Sequence, residues 1–265
     1  MSEALLEAGA ESVALDPVAE DAAARIRITA LAAAGTDASA LVAAAARAAA
    51  LPALRFSAAR LEDEDWVRRS QAQFGPLRVS ERLWIVPSWH EPPDSAAIAV
   101  RLDPGLAFGT GSHASTRLIL RRLADLLPGA APAGLRVLDY GCGSGILAIV
   151  AAKLGAGEIA AVDIDPQALE TTTENARING VSLRVALPAQ LPAGPYDMVL
   201  ANILAGPLIA LEPRLAACTR SGGRILLSGI LQSQANEVAA AFRRDFETSV
   251  SAAEEGWALV EGRRR

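Results

Sequence analysis

The residues with the clearest capacity for chemistry are glycines that follow an apolar strand. Val137–Gly145 reads VLDYGCGSG, and helical spacing begins at Ile146. Glycine has no Cβ atom and a helix N-terminus offers free N–H groups, so backbone can approach a polar ligand closely here. Gly141 and Gly143 are therefore candidate cofactor-binding residues. A loop of this kind can also be only a tight turn, and a second feature is needed.

A carboxylate supplies that second feature about twenty residues later, where a ribose-binding acid follows such a loop. Asp163 ends the apolar run Ala160–Val162 and could hydrogen-bond both ribose hydroxyls. Its alternative role is to cap the following helix. Asp165 already supplies a cap and Pro166 a first-turn proline, which leaves Asp163 available for a ligand.

Asp139 and the glycine spacing distinguish between ribose-bearing cofactors. A dinucleotide fingerprint is G-x-G-x-x-G, with the pyrophosphate at the helix N-terminus. This chain reads D-x-G-x-G-x-G instead, and Ile146 stands where the fingerprint requires glycine. A carboxylate at Asp139 would repel a pyrophosphate but attract the amino group of a methionine moiety, directly or through water. The pattern favours S-adenosylmethionine.

Asn202 is the third polar residue at a strand end. It closes the predicted strand Tyr196–Asn202. Ligands of an open parallel sheet lie beyond the carboxyl ends of its strands, so Asn202 would face the transferable methyl group. Asparagine is also common in turns after strands, and both roles stay open at this point.

The elements that would position these residues alternate between strand and helix from Leu135 onward. This alternation predicts a mostly parallel sheet with helices on both faces, a Rossmann-like α/β fold. The predicted strands are Arg136–Tyr140, Glu158–Ile164, Val181–Ala186, Tyr196–Asn202, Gly223–Ser228, Glu247–Ser251 and Trp257–Glu261. The predicted helices are Ile146–Leu154, Pro166–Asn179, Gly206–Ala217 and Gln232–Asp245. The last two strands must be antiparallel, because their connection is too short for a crossover.

The front of the chain predicts a separate, small domain. Residues 1–60 are rich in alanine and can bury little apolar area. We expect helices at Ser2–Glu7 and Asp37–Ala50, with Asp37 or Ser39 as the cap of the second, and strands at Ser12–Leu15 and Arg25–Thr29. Residues 61–95, which hold most of the large aromatics of the front half, are predicted to be a linker. Residues 96–265 form the predicted catalytic domain, beginning with strand Ile98–Leu102, a glycine-rich loop and helix Ala114–Leu127.

Composition narrows the class of protein. The chain has 265 residues, 51% of them hydrophobic and 21% charged, with a net charge of −5. Its acidic and basic residues are interspersed, so we expect no nucleic-acid partner. Cys142 and Cys218 form no metal or disulfide motif, and neither a secretory signal nor a membrane span is recognisable, so we expect a cytoplasmic protein without metal. Arg263–Arg265 is expected to be a frayed terminus without function.

Four segments together resemble the ribosomal protein L11 methyltransferase family, often called PrmA. They are DPGLAFGTGSHAST at Asp103–Thr116, VLDYGCGSGILAI at Val137–Ile149, VDIDP at Val162–Pro166 and ANILAGPL at Ala201–Leu208. The resemblance continues through Asp63–Trp66 and ERLWIVPSW at Glu81–Trp89, so it covers most of the chain from about Leu61.

The resemblance implies a small, ferredoxin-like N-terminal domain that docks the substrate, followed by a seven-stranded methyltransferase domain. It also implies methylation of amino groups, on lysine side chains or the N-terminus, of ribosomal protein L11. Thr116, Gly141, Asp163 and Asn202 match the family's cofactor-binding positions, and Phe108 and His113 lie in its loop over the cofactor. Asn202 stands where many amine methyltransferases place Asn or Asp before two prolines, with Ile203 and Leu204 in their place.

The chain departs from the family pattern at three places. Ala114 replaces a proline at a helix start, Ser70 replaces a tryptophan, and the first strand of the N-terminal domain is expected to be absent. Three alternatives remain: a methyltransferase of the same fold with another substrate, a nicotinamide-dependent oxidoreductase, and a silent cofactor-binding module. The glycine spacing argues against the oxidoreductase.

Overall fold

The structure is a computed structural model that describes residues 1–17, 26–52, 54–59, 75–93, 97–103, 111–127, 134–191 and 194–265. The chain divides into two compact units, Met1–Trp66 and Val67–Arg265. Each unit has its own hydrophobic core.

The first unit is a small α/β structure. Its elements are α1 (Ser2–Glu7), β1 (Ser12–Pro17), β2 (Ile26–Leu31) and α2 (Ala38–Ala48), and the two strands pair antiparallel. The carboxylate of Asp37 accepts hydrogen bonds from the N–H groups of Ser39 and Ala40, so Asp37 is the cap of α2. The core is thin, as expected: its buried members are Ala4, Leu5, Ala10, Leu41 and Ala45. The ferredoxin-like arrangement stays a prediction.

The second unit is built on a seven-stranded sheet. Its strands are β6 (Arg136–Tyr140), β7 (Glu158–Val162), β8 (Arg184–Ala186), β9 (Tyr196–Asn202), β10 (Thr219–Leu231), β11 (Phe246–Glu254) and β12 (Trp257–Arg264). Their order in the sheet is β8-β7-β6-β9-β10-β12-β11. β12 runs antiparallel to both of its neighbours, and the other pairs are parallel. The mostly parallel sheet and the antiparallel final pair are confirmed.

Helices cover both faces of this sheet. They are α4 (Ile146–Lys153), α5 (Pro166–Ile178), α6 (Ala205–Cys218) and α7 (Ala235–Phe242). Side chains that alternate along one strand enter different cores: Val137 packs in the core with α4, whereas Leu138 packs in the core with α6 and α7. This alternation is the expected period of two for a strand buried on both faces. Residues Ile146–Ala151 of α4 are all buried.

A three-stranded sheet precedes the large one. It consists of β3 (Leu77–Arg78), β4 (Leu83–Val86) and β5 (Ile98–Arg101), in which β3 and β4 are antiparallel and β4 and β5 parallel. Helix α3 (Ala114–Leu126) follows. Leu83 and Val100 are fully buried in the same core as α3. Residues 77–86, placed by sequence in the linker, therefore contribute buried side chains to the core of the second unit, among them Val79, Leu83 and Ile85. The division at 60 and 95 stays a prediction.

The C-terminus is part of the sheet. Arg263 and Arg264 pair with Glu247 and Phe246 of β11, and the Arg264 guanidinium lies 5.4 Å from the centre of the Phe246 ring. The expectation of a frayed terminus was wrong, because these residues continue a paired strand. Across the described residues, no helix is both long and apolar enough to cross a membrane, and no group of three metal-binding side chains is present.

Candidate functional site

The glycine loop between β6 and α4 lies at the carboxyl end of the sheet. Gly141, Gly143 and Gly145 have φ angles of +79°, +54° and +79°, a region that favours glycine. A Cβ atom at Gly141 would lie 2.6 Å from Cγ2 of Ile203, and one at Gly145 would lie 2.8 Å from Cγ2 of Thr172. The loop therefore needs glycine both for its backbone conformation and for its close packing.

Two side chains of α5 hold this loop from behind. The Thr172 hydroxyl donates to the carbonyl of Gly143 at 3.0 Å, and the Asn175 amide donates to the carbonyl of Ser144 at 2.8 Å. Sequence reasoning missed both residues. The signal that could have found them is a pair of polar residues, three apart, on the face of α5 that turns toward the protein. These two hydrogen bonds fix the backbone of the glycine loop from the side of α5.

Asp163 connects the end of β7 to the glycine loop. One carboxylate oxygen accepts from the N–H of Gly143 at 2.9 Å, and the other accepts from the N–H of Asp165 at 3.0 Å. Asp165 is the cap of α5, since its carboxylate accepts from the N–H of Gln167 at 2.9 Å. Asp163 is thus not the helix cap. The next residue, Ile164, is 83% exposed, an apolar side chain at the site that sequence reasoning missed.

Asp139 is a fully buried carboxyl group beside the loop. Its Oδ2 accepts from the N–H of Ala148 in α4 at 3.1 Å, whereas Oδ1 has no hydrogen-bond partner among the described residues. Burial raises the pKa of Asp139 to about 7, against the lowering effect of the Ala148 N–H and with a smaller raise from the charge of Asp163. A buried oxygen without a partner is costly, and a cationic ligand group would satisfy it.

Asn202 and Thr116 meet on the other side of β6. Asn202 ends β9, which is parallel to β6, and its Nδ2 donates to the Thr116 hydroxyl at 3.0 Å. Thr116 lies in the first turn of α3 and is buried. The side-chain oxygen of Asn202 accepts no hydrogen bond from the described part of the chain. Two residues predicted separately from the sequence are therefore in direct contact.

His113 and Phe108 come from the loop before α3. His113 is the cap of α3: its Nδ1 lies 3.3 Å from the N–H of Ser115 and 2.7 Å from the Ser115 hydroxyl. This cap begins the helix where Ala114 replaces the family's proline. Phe108, a predicted cofactor-binding residue, lies outside the described residues.

Those predicted site residues that the structure describes gather where the strand order of the sheet reverses, between β6 and β9. Asp139, the glycine loop and Asp163 lie at the ends of β6 and β7, and Asn202 lies at the end of β9 next to β6. In open α/β sheets this switch point is the usual ligand site. The arrangement offers one carboxylate for a cation, one for hydroxyl groups, and an amide for an incoming polar group.

Comparisons with known proteins find a matching family profile and several similar sequences. The profile of the family described as ribosomal protein L11 methyltransferase (PrmA) matches residues 1–265. A ribosomal protein L11 methyltransferase from Thiobacillus denitrificans is 53% identical over 212 residues, which cover 80% of this chain and 70% of that protein. The one from Bordetella parapertussis is 50% identical over 262 residues, 94% of this chain and 79% of that protein.

A solved structure is similar as well. The crystal structure of ribosomal protein L11 methylase from Lactobacillus delbrueckii subsp. bulgaricus matches with a TM-score of 0.62 and 34% sequence identity. The match covers 72% of this chain and 100% of that chain. Fold and sequence therefore agree in pointing to one family.

Replacing Asp139 with Asn should change how stability depends on pH. The folded state, with an Asp139 pKa of about 7 rather than the ordinary 3.8, binds a proton that the unfolded state loses between these values. The free energy of unfolding therefore falls as pH rises through this window, by at most about 1.4 kcal/mol per pH unit from this group. Urea unfolding of Asp139→Asn over this range should show a flatter pH dependence than the unchanged chain.

A matched control is Glu170→Gln, which removes an exposed carboxylate from α5. The control should keep the pH dependence of the unchanged chain. Parallel curves for Asp139→Asn and the unchanged chain would contradict the raised pKa.

Proposed function

Since the chain belongs to the ribosomal protein L11 methyltransferase family, we propose that it transfers methyl groups from S-adenosylmethionine to amino groups of ribosomal protein L11. The observation that carries the choice of cofactor is the buried Asp139, whose Oδ1 has no partner among the described residues. A pyrophosphate is an anion, so it would repel the Asp139 carboxylate and would leave Oδ1 without a hydrogen bond. An ammonium group would pair with it.

The residues at the switch point fit the three parts of S-adenosylmethionine. Asp139 would hold the methionine ammonium, directly or through water. Asp163 would accept hydrogen bonds from the ribose hydroxyls, and the exposed Ile164 would offer apolar surface to the base. Gly141 and Gly143 would allow the backbone to lie close to the ligand. When bound, the cofactor supplies a methyl group that is already activated for transfer.

Asn202 has the position and the chemistry to orient the amine. Its Nδ2 is held by Thr116, which leaves the side-chain oxygen available to accept from the amine. A lysine of pKa ~10.4 is mostly protonated at pH 7, so presenting the neutral amine costs roughly 4–5 kcal/mol unless burial lowers that pKa. Alignment and exclusion of water contribute up to ~7–11 kcal/mol when geometry is good. The neutral amide of Asn202 would help to align the substrate amine with the methyl group without placing another charge beside it.

The proton must leave to solvent or to a group of the chain. His113 is the nearby histidine, and its Nδ1 is engaged with Ser115 as the cap of α3. This contact, together with the packing of its ring on Trp257, supports a structural role for His113. We therefore assign no general base.

The first unit would dock the substrate. Leu15 and Ile28 are cross-strand partners in its hairpin and are 55% and 39% exposed, so they place apolar surface on one face. Exposed apolar surface of this kind suits a protein partner. A surface lysine offers few contacts of its own, and a second tethered contact would raise its local concentration at the active site. We place this activity in the cytoplasm, where ribosomal proteins are made.

The experiment that tests the function is transfer of labelled methyl groups from S-adenosylmethionine to purified ribosomal protein L11. We expect label in the protein, located on lysine side chains or the N-terminal amine by peptide mass spectrometry. Parallel reactions contain ribosomal RNA and small-molecule amines instead of the protein. Label in the RNA or in the amines, with none in the protein, would show that ribosomal protein L11 is not the substrate. The chain would then be a methyltransferase of the same fold with another substrate.

Asp163→Ala should weaken S-adenosylmethionine binding by about 1.5–3 kcal/mol, the scale of hydrogen bonds to a charged acceptor. The matched control is Asp165→Ala, which removes the neighbouring carboxylate that caps α5. Isothermal titration calorimetry should show the loss for the first variant and near-normal affinity for the second. Unchanged affinity in a folded Asp163→Ala variant would exclude Asp163 from ribose binding.

Asn202→Ala should reduce turnover more than cofactor affinity. The amide is proposed to meet the incoming amine, whereas most contacts to the cofactor come from β6, β7 and the glycine loop. Single-turnover methylation and calorimetric titration of the same preparation measure the two quantities. If both fall by the same factor, Asn202 only binds the cofactor.

A further inference from the structure

The turn between β11 and β12 contacts the first turn of α3. These two elements lie 137 residues apart in sequence at their contact between Arg117 and Glu254. Arg117 directly follows Thr116, the residue that holds Asn202. The turn therefore reaches the helix one residue away from the site.

Arg117 is bound in a fork by the turn. Its Nε and Nη2 donate to Oε1 of Glu254 at 3.0 and 2.8 Å, and Nη2 also donates to Glu255 at 2.7 Å. Its Nη1 donates to the backbone carbonyl of Ser112, just before the helix. The side chains of Arg117 and Glu254 are only 14% and 23% exposed. A planar guanidinium that is hydrogen-bonded at several points restricts the relative position of the helix and the turn far more than an exposed ion pair does.

Two further contacts join the same elements. The His113 ring meets the ring of Trp257 edge-on, with centroids 4.6 Å apart, so the cap of α3 packs on the start of β12. Arg121, one turn further along α3, donates to the second carboxylate oxygen of Glu254 at 2.6 Å. Both oxygens of Glu254 are thus used by α3. The start of α3 is fixed to the β11–β12 turn at its cap and along one side.

We propose that Arg117 and Glu254 are positioning residues for methyl transfer: their ion pair places the first turn of α3 so that Thr116 holds the Asn202 amide. This inference rests on the proposed function, because it assigns a role in that reaction. Neither residue touches the reacting groups. Their effect passes through Thr116 and the orientation of the Asn202 side chain.

The physical reason lies in the tolerance of the Thr116–Asn202 hydrogen bond. A hydrogen bond weakens steeply with distance and angle, so a small displacement of the first turn of α3 releases Nδ2 of Asn202. The amide can then rotate, and its oxygen is no longer aimed at one place. Misplacement by about 1 Å is enough to cost up to a hundredfold in rate. Most of the proposed cofactor contacts come from β6, β7 and the glycine loop, so cofactor affinity should change less than the rate.

The test is a double-mutant cycle of Arg117→Ala and Thr116→Val, with kcat and the Kd for S-adenosylmethionine measured for each variant. Arg117→Ala should lower kcat about tenfold or more while the Kd changes less than about threefold. If Arg117 acts through Thr116, the double variant should lose little more than Thr116→Val alone, a non-additive result. Arg117→Lys, which keeps the charge but not the fork, should restore part of kcat.

A matched control lies on the same helix. Arg122→Ala breaks the ion pair of Arg122 with Glu261, which joins α3 to β12 away from the first turn. It should keep kcat. The isosteric Glu254→Gln provides a second, milder way to weaken the contact if Arg117→Ala does not fold.

The outcomes separate this inference from the proposed function. Normal kcat in Arg117→Ala and Glu254→Gln, in a preparation whose unchanged enzyme methylates ribosomal protein L11, would overturn the positioning role. Additive losses in the cycle would also overturn it, because they would mean that Arg117 does not act through Thr116. An unchanged enzyme that does not methylate the protein at all would instead contradict the proposed function.

Discussion

The site depends on one constraint of the sheet: strand order reverses between β6 and β9. Chain leaving β6 passes to β7 and β8 on one side, and chain leaving β9 passes to β10 on the other. The two loops therefore diverge and leave a space at the carboxyl ends that no crossover covers. Register places Asp139 beside Leu200 of β9 and Ala161 of β7. Asp163 and Asn202 each follow this row by two residues, and the glycine loop begins two residues after Asp139.

Keeping that space functional has a cost in stability. Asp139 is buried with one oxygen unsatisfied by the described chain, and the loop beside it contains three glycines with positive φ angles. Such features persist only where the surroundings over-determine them. Here α4, buried along Ile146–Ala151, and the α5 side chains Thr172 and Asn175 hold the loop from behind. The free energy lost at the site is offset by the apolar packing directly behind it.

The local sequence pattern was sufficient to predict the strands that position the site residues. The predicted bounds of β6 and β9 agree with the structure, because each is a short apolar run that ends in a polar residue or glycine. The pairing of Thr116 with Asn202 could not be derived from pattern, since it joins residues 86 apart in sequence. β3 and β4 were missed because two-to-four-residue strands among prolines and charges carry little periodicity. The order of Arg263 and Arg264 was missed because charge at a chain end says nothing about strand pairing.

Helix α3 explains why long-range side-chain contacts matter for this site. It precedes β6 and is not a crossover between two strands of the large sheet, so chain connectivity does not determine where its first turn lies. Leu118, Ile119 and Leu123 anchor its apolar face in the core beneath α4 and the sheet. Apolar packing is non-directional and fixes the depth of a helix better than its position along its own axis. That remaining freedom is removed by directional groups at its start: the His113 cap, the ring contact with Trp257 and the fork on Arg117. A hairpin at the edge of the sheet can in this way determine the geometry of the site.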